Sequence, residues 1–552
     1  MRTQARFGVL QGVNPSFGNH NSISYGGVLF LLPALLSQGL MKIKETHNMK
    51  EGYYKLDSII LTLAFMILCR IKNPEQLKQC SPGEMGKLIG LDRIPEVRCL
   101  REKMNELFDQ KNTLELNKKL ATQWSKLSVD EDLIFYVDGH VKVYNGSKAT
   151  LQKKYVSRQK LCLSARSDFW LHDQQGLPLM VWTGELSEKL QYMIEYEIIP
   201  ELFSSGIITK NQDCENLTPI CTLIFDREAY EPEFFARLWN LYRIAIITYR
   251  KNVKDLWQEN EFSQVEVLND DNAKITMRLA ENKIVLKNLE FREIRKLSTR
   301  EHQTALLTNH PTLAKEKVAF KLFNRWKQEN FFKYLIADYS LDHLIEYGVE
   351  EIDLESEIVN PEYRVISNKL KKERDKLRRL KASLLNNVNL DTTTHLEEFK
   401  TRVEVKADLV AQIKNKEEDI NQLIENRKNI APRIKLSQMT PEKRITKLKS
   451  ESAYFMSTLK MICYRAETAI ANLLFGHYKK YDDQKRMLIK NIISTPIDLV
   501  TDKVNQTLTV KLHTLNTPNA NELVKKIAEE LNETETLFPG TNLKLIFKSV
   551  VC

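Results

Sequence analysis

The chain has 552 residues, 42% hydrophobic and 28% charged, which is enough apolar mass for a buried core and too much for a wholly disordered chain. Lysine and arginine number 82 against 72 aspartates and glutamates, and the formal charge of +10 admits a polyanionic partner without demanding one. The eight cysteines are scattered with no CxxC pair, which argues against a zinc ribbon and against a disulfide scaffold.

Residues 1–125 read as a helical region. Its two most apolar stretches, 27–36 and 59–69, fall short of the roughly 18 residues that a membrane span needs, so both are expected to be buried helices and no membrane partner is expected. Ser81-Pro-Gly-Glu84 has a capping serine, a proline at the first helical position and a glutamate at the third, so a short helix should follow. Gly90 ends it, and Pro95-Glu96 opens another that carries Arg98, Arg101 and Lys103. This spacing fits an ordinary helical hairpin or a helix-turn-helix, in which Arg98 and Arg101 would meet DNA.

Strands begin near 131. Leu133 to Val137 is an unbroken apolar run ending at Asp138-Gly-His140, and Asn145-Gly146 is a hairpin-turn signal. Gln159 to Ala165, Leu177 to Thr183, Thr222 to Phe225 and Ile244 to Thr248 read as further strands, with helices at Leu186 to Phe203 and Pro232 to Tyr242. The alternation predicts an α/β core over 126–250, its strands covered on both faces. Residues 251–312 carry short β-type runs and read as a β-rich insertion. Within 313–350, Ala314 to about Asp338 reads as one long helix, with Val318, Ala319, Leu322, Phe323 and Trp326 on one face. Residues 361–430 hold two heptad seams, Ile366 to Leu384 and Phe399 to Ile424, around the polar stretch 386–394. They predict an antiparallel coiled-coil hairpin whose charge is mostly a solvated face, although Lys371 to Lys381 could touch phosphates. Residues 431–552 read as a helical stretch and a small α+β end.

Two acids stand at strand ends, Asp138 and Asp226, where side chains leave a rigid sheet. Taken singly, Asp138 could serve a turn and Asp226 could cap a helix. Arg325, Glu329 and Lys333 share one helical stripe, either a surface ion-pair ladder or part of a site. Three carboxylates from two strand ends and a helix can chelate two divalent ions, and oxygen ligands favour Mg²⁺ or Mn²⁺ over zinc. Arg325 and Lys333 would then hold phosphate oxygens.

These residues carry a resemblance. Tyr136-Val-Asp-Gly-His140, Ile224-Phe-Asp-Arg-Glu-Ala-Tyr230 and Arg325-Trp-Lys-Gln-Glu-Asn-Phe-Phe-Lys-Tyr334 resemble insertion-sequence transposases of the DDE type, in the branch whose RNase H-like core is interrupted by a β-rich insertion before the last acid. Ile71 to Gln76 and Gly90 to Val97 also look like segments that precede the first aspartate there. The resemblance spans about 20–350. It implies an RNase H-like α/β core (a mixed sheet with flanking helices), preceded by the helical N-terminal region and followed by the hairpin. It also implies Asp138, Asp226 and Glu329 as a catalytic triad holding two Mg²⁺ or Mn²⁺, with Arg325 as a helper. The implied activity is binding of terminal inverted repeats, metal-dependent end cleavage and strand transfer into target DNA, by a homodimer or higher oligomer in the cytoplasm on nucleoid DNA. Better-known members place a tyrosine three before the arginine and a lysine seven after the glutamate, where this chain has Leu322 and Ile336; Lys333 is the substitute at hand. A metal-dependent nuclease without strand transfer and an inactive DNA-binding derivative are the alternatives. His140 is expected beside the metals or in the turn, Trp257 in the core or stacked on a base, and Glu228 and Asp338 are rival third acids.

Overall fold

The computed structural model describes residues 2–126, 133–151, 153–156, 159–184, 189–209, 218–253, 255–268, 274–342, 348–388, 396–441, 444–474 and 482–549. Cys214, Cys552, the start of the helix expected from Leu186, and the polar stretch from 389 to 394 lie outside the described residues. The chain forms two compact units, one of 1–146, 153–348 and 448–552, the other of 147–152 and 349–447.

Up to residue 308 the strands of the first unit are β1 (His20–Ile23), β2 (Ile134–Val143), β3 (Lys153–Val156), β4 (Leu161–His172), β5 (Pro178–Gly184), β6 (Cys221–Phe225), β7 (Ile244–Tyr249), β8 (Ser263–Leu268), β9 (Lys274–Leu286), β10 (Leu289–Leu297) and β11 (Gln303–Thr308). Ten of them, β2 to β11, make one sheet. At its heart the order is β5-β4-β2-β6-β7, with β2, β6 and β7 parallel and β4 and β5 antiparallel. The insertion continues this sheet, since β11 lies antiparallel to β7 and β10, β9 and β8 follow outward. Strand β10 escaped the sequence pattern because two of its buried positions are charged. Glu293 and Arg295 are wholly buried and bonded at 2.7 Å, and Arg295 also reaches Asp255 at 2.7 Å. Trp257 lies over the Arg295 guanidinium at 4.2 Å and packs near Phe262, so it is engaged in the insertion.

The pleat sorts the sheet's side chains. Phe135, Val137, Leu223 and Phe225 pack in the cluster with Phe234, Phe235 and Leu238 of helix Pro232–Tyr242. The alternate residues Ile134, Tyr136, Ile224 and Ile247 lie under Val318, Ala319 and Leu322 of helix Lys315–Phe323. The expected long helix is in fact two, Lys315–Phe323 and Trp326–Tyr339. Neither proline nor glycine marks the break. The backbone tightens there to i→i+3 bonds, from Arg325 N–H to Leu322, Lys327 to Asn324 and Gln328 to Arg325. The two halves serve different apolar patches, the second packing Phe331 and Phe332 on Trp170 and His172.

The N- and C-terminal segments share this unit's core. Helix Glu451–Leu473 is buried nearly all round and packs on helices Leu32–Ser37, Leu56–Leu68, Val97–Phe108 and Thr113–Ser125 and on β5. Strand β1 pairs with Ile497–Asp502 in a second, four-stranded sheet completed by Thr507–Leu512 and Lys544–Ser549. A Cβ on Gly27 would stand 1.7 Å from the Ile492 carbonyl oxygen, so only glycine lets these segments approach. No single helix among the described residues is long and apolar enough to cross a membrane.

In the second unit, helices Pro361–Val388 and Leu396–Lys428 run antiparallel, with Lys381 on Glu417, Lys416 on Glu373 and Arg427 over the Tyr363 ring. Leu370 and Ile420 are buried in the seam, whereas Val410 stays exposed. Strands Glu357–Val359 and Arg433–Lys435 pair at the hairpin's base.

Candidate active site

Parallel pairing runs from Ile134↔Thr222 to Val137↔Phe225. One step further brings Asp138 beside Asp226, on the face that carries Tyr136 and Ile224. Asp226 does follow the last residue of β6. Asp138 does not end its strand: β2 continues to Val143, paired with β4 throughout, so the expected turn at Gly139 is absent. What ends at Asp138 is the neighbouring strand β6, and this opens the sheet face next to it. Asp138 Oδ1 accepts the Gly139 N–H at 3.0 Å, and Asp226 Oδ1 accepts that of Arg227 at 2.6 Å.

The break between the two helices delivers Arg325 to this spot. Its Nη1 lies 3.3 Å from Asp138 Oδ2, and its Nη2 lies 3.8 Å from Asp226 Oδ2 and 2.8 Å from Glu329 Oε1. The three acids expected from sequence thus converge on one guanidinium. Side-chain exposure rises from 12% at Arg325 and 21% at Asp138 to 46% at Asp226 and 50% at Glu329, so the cluster is closed at its base and open to solvent at its rim. Burial pushes the Asp138 carboxyl up to about 6; Arg325 and the Gly139 N–H pull it down, and Asp226 and Glu228 push it further up.

Glu228 is a fourth acid here, with Oε2 3.8 Å from where a Gly139 Cβ would stand. Asp338, the other rival, belongs elsewhere. It pairs with Lys490 at 2.6 Å and lies 3.8 Å from Arg70, in a network centred on buried Glu467. Glu467 accepts bonds from Arg70 at 2.7 Å and from the Tyr334 hydroxyl at 2.8 Å, and so ties the Glu329 helix to both the N- and C-terminal segments. Lys333 is exposed one turn beyond Glu329 and makes no ion pair among the described residues. His140 is buried on the Asp138 face, stacked 5.1 Å from the Phe332 ring and 2.6 Å from Asp342 Oδ1. Arg98 pairs with Glu102 at 3.0 Å and Arg101 with Glu75 at 2.5 Å. Their helix packs on Pro74–Gln79 and on Glu451–Leu473, a setting in which both arginines already have acid partners.

Two neighbours were missed in the sequence. Tyr249 ends β7, and burial raises its hydroxyl pKa within the fields of Arg325, Asp226 and Glu329. Trp326, expected in the core, is exposed beside Arg325. Only the break in the helix turns it outward, and no residue type announces that break.

Among the described residues no group of three or more histidines, cysteines, aspartates or glutamates is set to hold a metal ion as it stands, and Arg325 is the counter-charge among the acids. No curated protein and no solved structure matches the chain. A family model described as "transposase protein" matches residues 1–551, and the chain therefore belongs to that transposase family.

Proposed function

We propose that this transposase works through a DDE site on an RNase H-like core, binding the terminal inverted repeats of its element, cutting at the ends and joining them to target DNA. The observation that carries the reading is the convergence of Asp138, Asp226 and Glu329, from a strand, a strand end and a helix, on Arg325. The strand order β5-β4-β2-β6-β7, with the adjacent strands β2, β6 and β7 parallel, supports the fold assignment.

The donor set suits hard divalent ions. It offers carboxylate oxygens alone, and burial, with smaller contributions from Asp226 and Glu228, already raises Asp138, a penalty on its charged form that added positive charge relieves. Asp138, Asp226 and Glu329 would hold Mg²⁺ or Mn²⁺, which would polarise the attacking water or 3′-hydroxyl and stabilise the leaving oxygen. The chain's own groups set the stage. Asp138 lies within a paired strand and Asp226 directly follows one, so the sheet anchors the backbone of both. Glu329 is held by a helix pinned through Tyr334 to Glu467. Arg325 neutralises the acids in the absence of ligand and can turn its donors to phosphate oxygens when DNA arrives. Hydrolysis and joining are both in-line displacements at phosphorus, so one site serves both. Bringing two ends together calls for a dimer or higher oligomer, acting on nucleoid DNA.

The test incubates labelled end-containing DNA and a plasmid with wild type and Asp226→Asn in Mn²⁺. Cleavage and joining by wild type alone are expected. Cleavage without joining would reduce the activity to that of a nuclease, and equal inactivity of both proteins would favour an inactive DNA-binding derivative.

A further inference from the structure

The hairpin carries its charge unevenly. Helix Pro361–Val388 holds nine lysines and arginines against three acids, whereas Leu396–Lys428 holds seven against eight. Charges that served only solubility and interhelical pairing would be shared between the two helices. Three of the nine cations are neutralised locally: Lys376 by Glu373 at 2.8 Å, Arg378 by Asp375 at 3.1 Å and Lys381 by Glu417 at 2.7 Å. Lys369, Lys371, Lys372, Arg374 and Arg379 are exposed and have no acid partner among the described residues.

Their placement is ordered. Leu370 and the half-buried Leu377, Leu380 and Leu384 mark the seam. At 3.6 residues per turn, Lys371, Lys372 and Arg379 project from the opposite side, with Lys369 and Arg374 on the flanks. From Lys369 to Arg379 the helix rises about 15 Å. One strand of duplex DNA presents a phosphate about every 3.4 Å, so that length meets four or five phosphates. The outward face between these residues has no large apolar side chain of the kind that anchors a helix on a lipid surface.

We infer that this face of the hairpin is a phosphate-binding surface for duplex DNA, independent of sequence and separate from the acid cluster. The family membership makes DNA the polyanion at hand, but the inference does not depend on the catalytic reading.

The experiment uses the full chain and a labelled duplex of arbitrary sequence, with affinity measured by anisotropy across a series of KCl concentrations. In one variant all five cations become glutamine, nearly as good a helix former as lysine or arginine. The salt dependence, log Kd against log[KCl], should flatten by about 0.9 per lost contact, about 4 to 5 in all. A second variant exchanging lysine for arginine and arginine for lysine at the five positions should keep the wild-type slope. Lys371→Gln with Lys372→Gln should remove about 2 from it, which gives a readout should the larger set unfold the hairpin. An unchanged slope in the glutamine variants overturns the inference. If wild type meanwhile cuts DNA in Mn²⁺, the proposed function stands without it; a flattened slope with no cutting leaves the surface standing and removes the catalytic reading.

Discussion

Replacing Asp138 with asparagine is expected to stabilise the protein when divalent ions are absent. Burial, Asp226 and Glu228 hold the folded carboxyl at about 6, whereas an ordinary aspartate titrates at 3.8. Between those values the folded state binds more protons than the unfolded one. Stability is therefore fullest below about pH 4, is lost as pH rises through the window, and above pH 6 is lower by about 3 kcal/mol. A fifth of the side chain is exposed and asparagine keeps only part of the Arg325 contact, so the net gain should be about 1–2 kcal/mol. Melting in chelator at about pH 7.5 should show Asp138→Asn a few degrees above wild type, and at about pH 4 the two should coincide. Adding Mn²⁺ should raise wild type and leave the variant nearly unmoved, because the proposed ion site requires the Asp138 carboxylate. A variant that melts below wild type at the higher pH, or that keeps its advantage at the lower one, refutes the electrostatic argument.

Gly27→Ala forces a methyl against the Ile492 carbonyl oxygen and should cost about 3 kcal/mol, whereas Gly52→Ala, with open space around its Cβ, should melt like wild type. Glu467→Gln leaves Arg70 and Arg486 without their buried counter-charge and should destabilise by about 3 kcal/mol in denaturant titration; a loss below about 1 kcal/mol would mean that the network does not anchor the Glu329 helix. Burial lowers His172 to about 3, so its neutral ring stabilises the fold fully above about pH 6.5, and that stability is lost as pH falls towards 3. Denaturation midpoints should show a loss of about 2 kcal/mol between about pH 7.5 and pH 5 that His172→Gln lacks.

The acids were legible because strand ends and an i,i+4 helical stripe are local patterns. Asp138 was legible for an inexact reason. Asp138-Gly139-His140 reads as a turn, yet the strand runs through it, since pairing with β4 outweighs the local preference. The break at Asn324 and Arg325 was not legible, because it comes from two helical halves seeking different patches of the core, and that break is what aims Arg325 inward and Trp326 outward. Strand β10 was hidden by Glu293 and Arg295, a pair that is tolerable inside because the two satisfy each other and each has a further partner, Arg250 for Glu293 and Asp255 for Arg295. The union of both termini around helix Glu451–Leu473 rests on contacts hundreds of residues apart, which no local pattern encodes.

Whether Asp138, Asp226 and Glu329 hold divalent ions is most directly tested by diffraction from crystals soaked in Mn²⁺, recorded at a wavelength where manganese scatters anomalously. The account predicts anomalous density bounded by those three carboxylates, with Arg325 withdrawn from at least one of them. Density placed elsewhere on the protein, or Arg325 still bridging all three acids in saturating Mn²⁺, would contradict it.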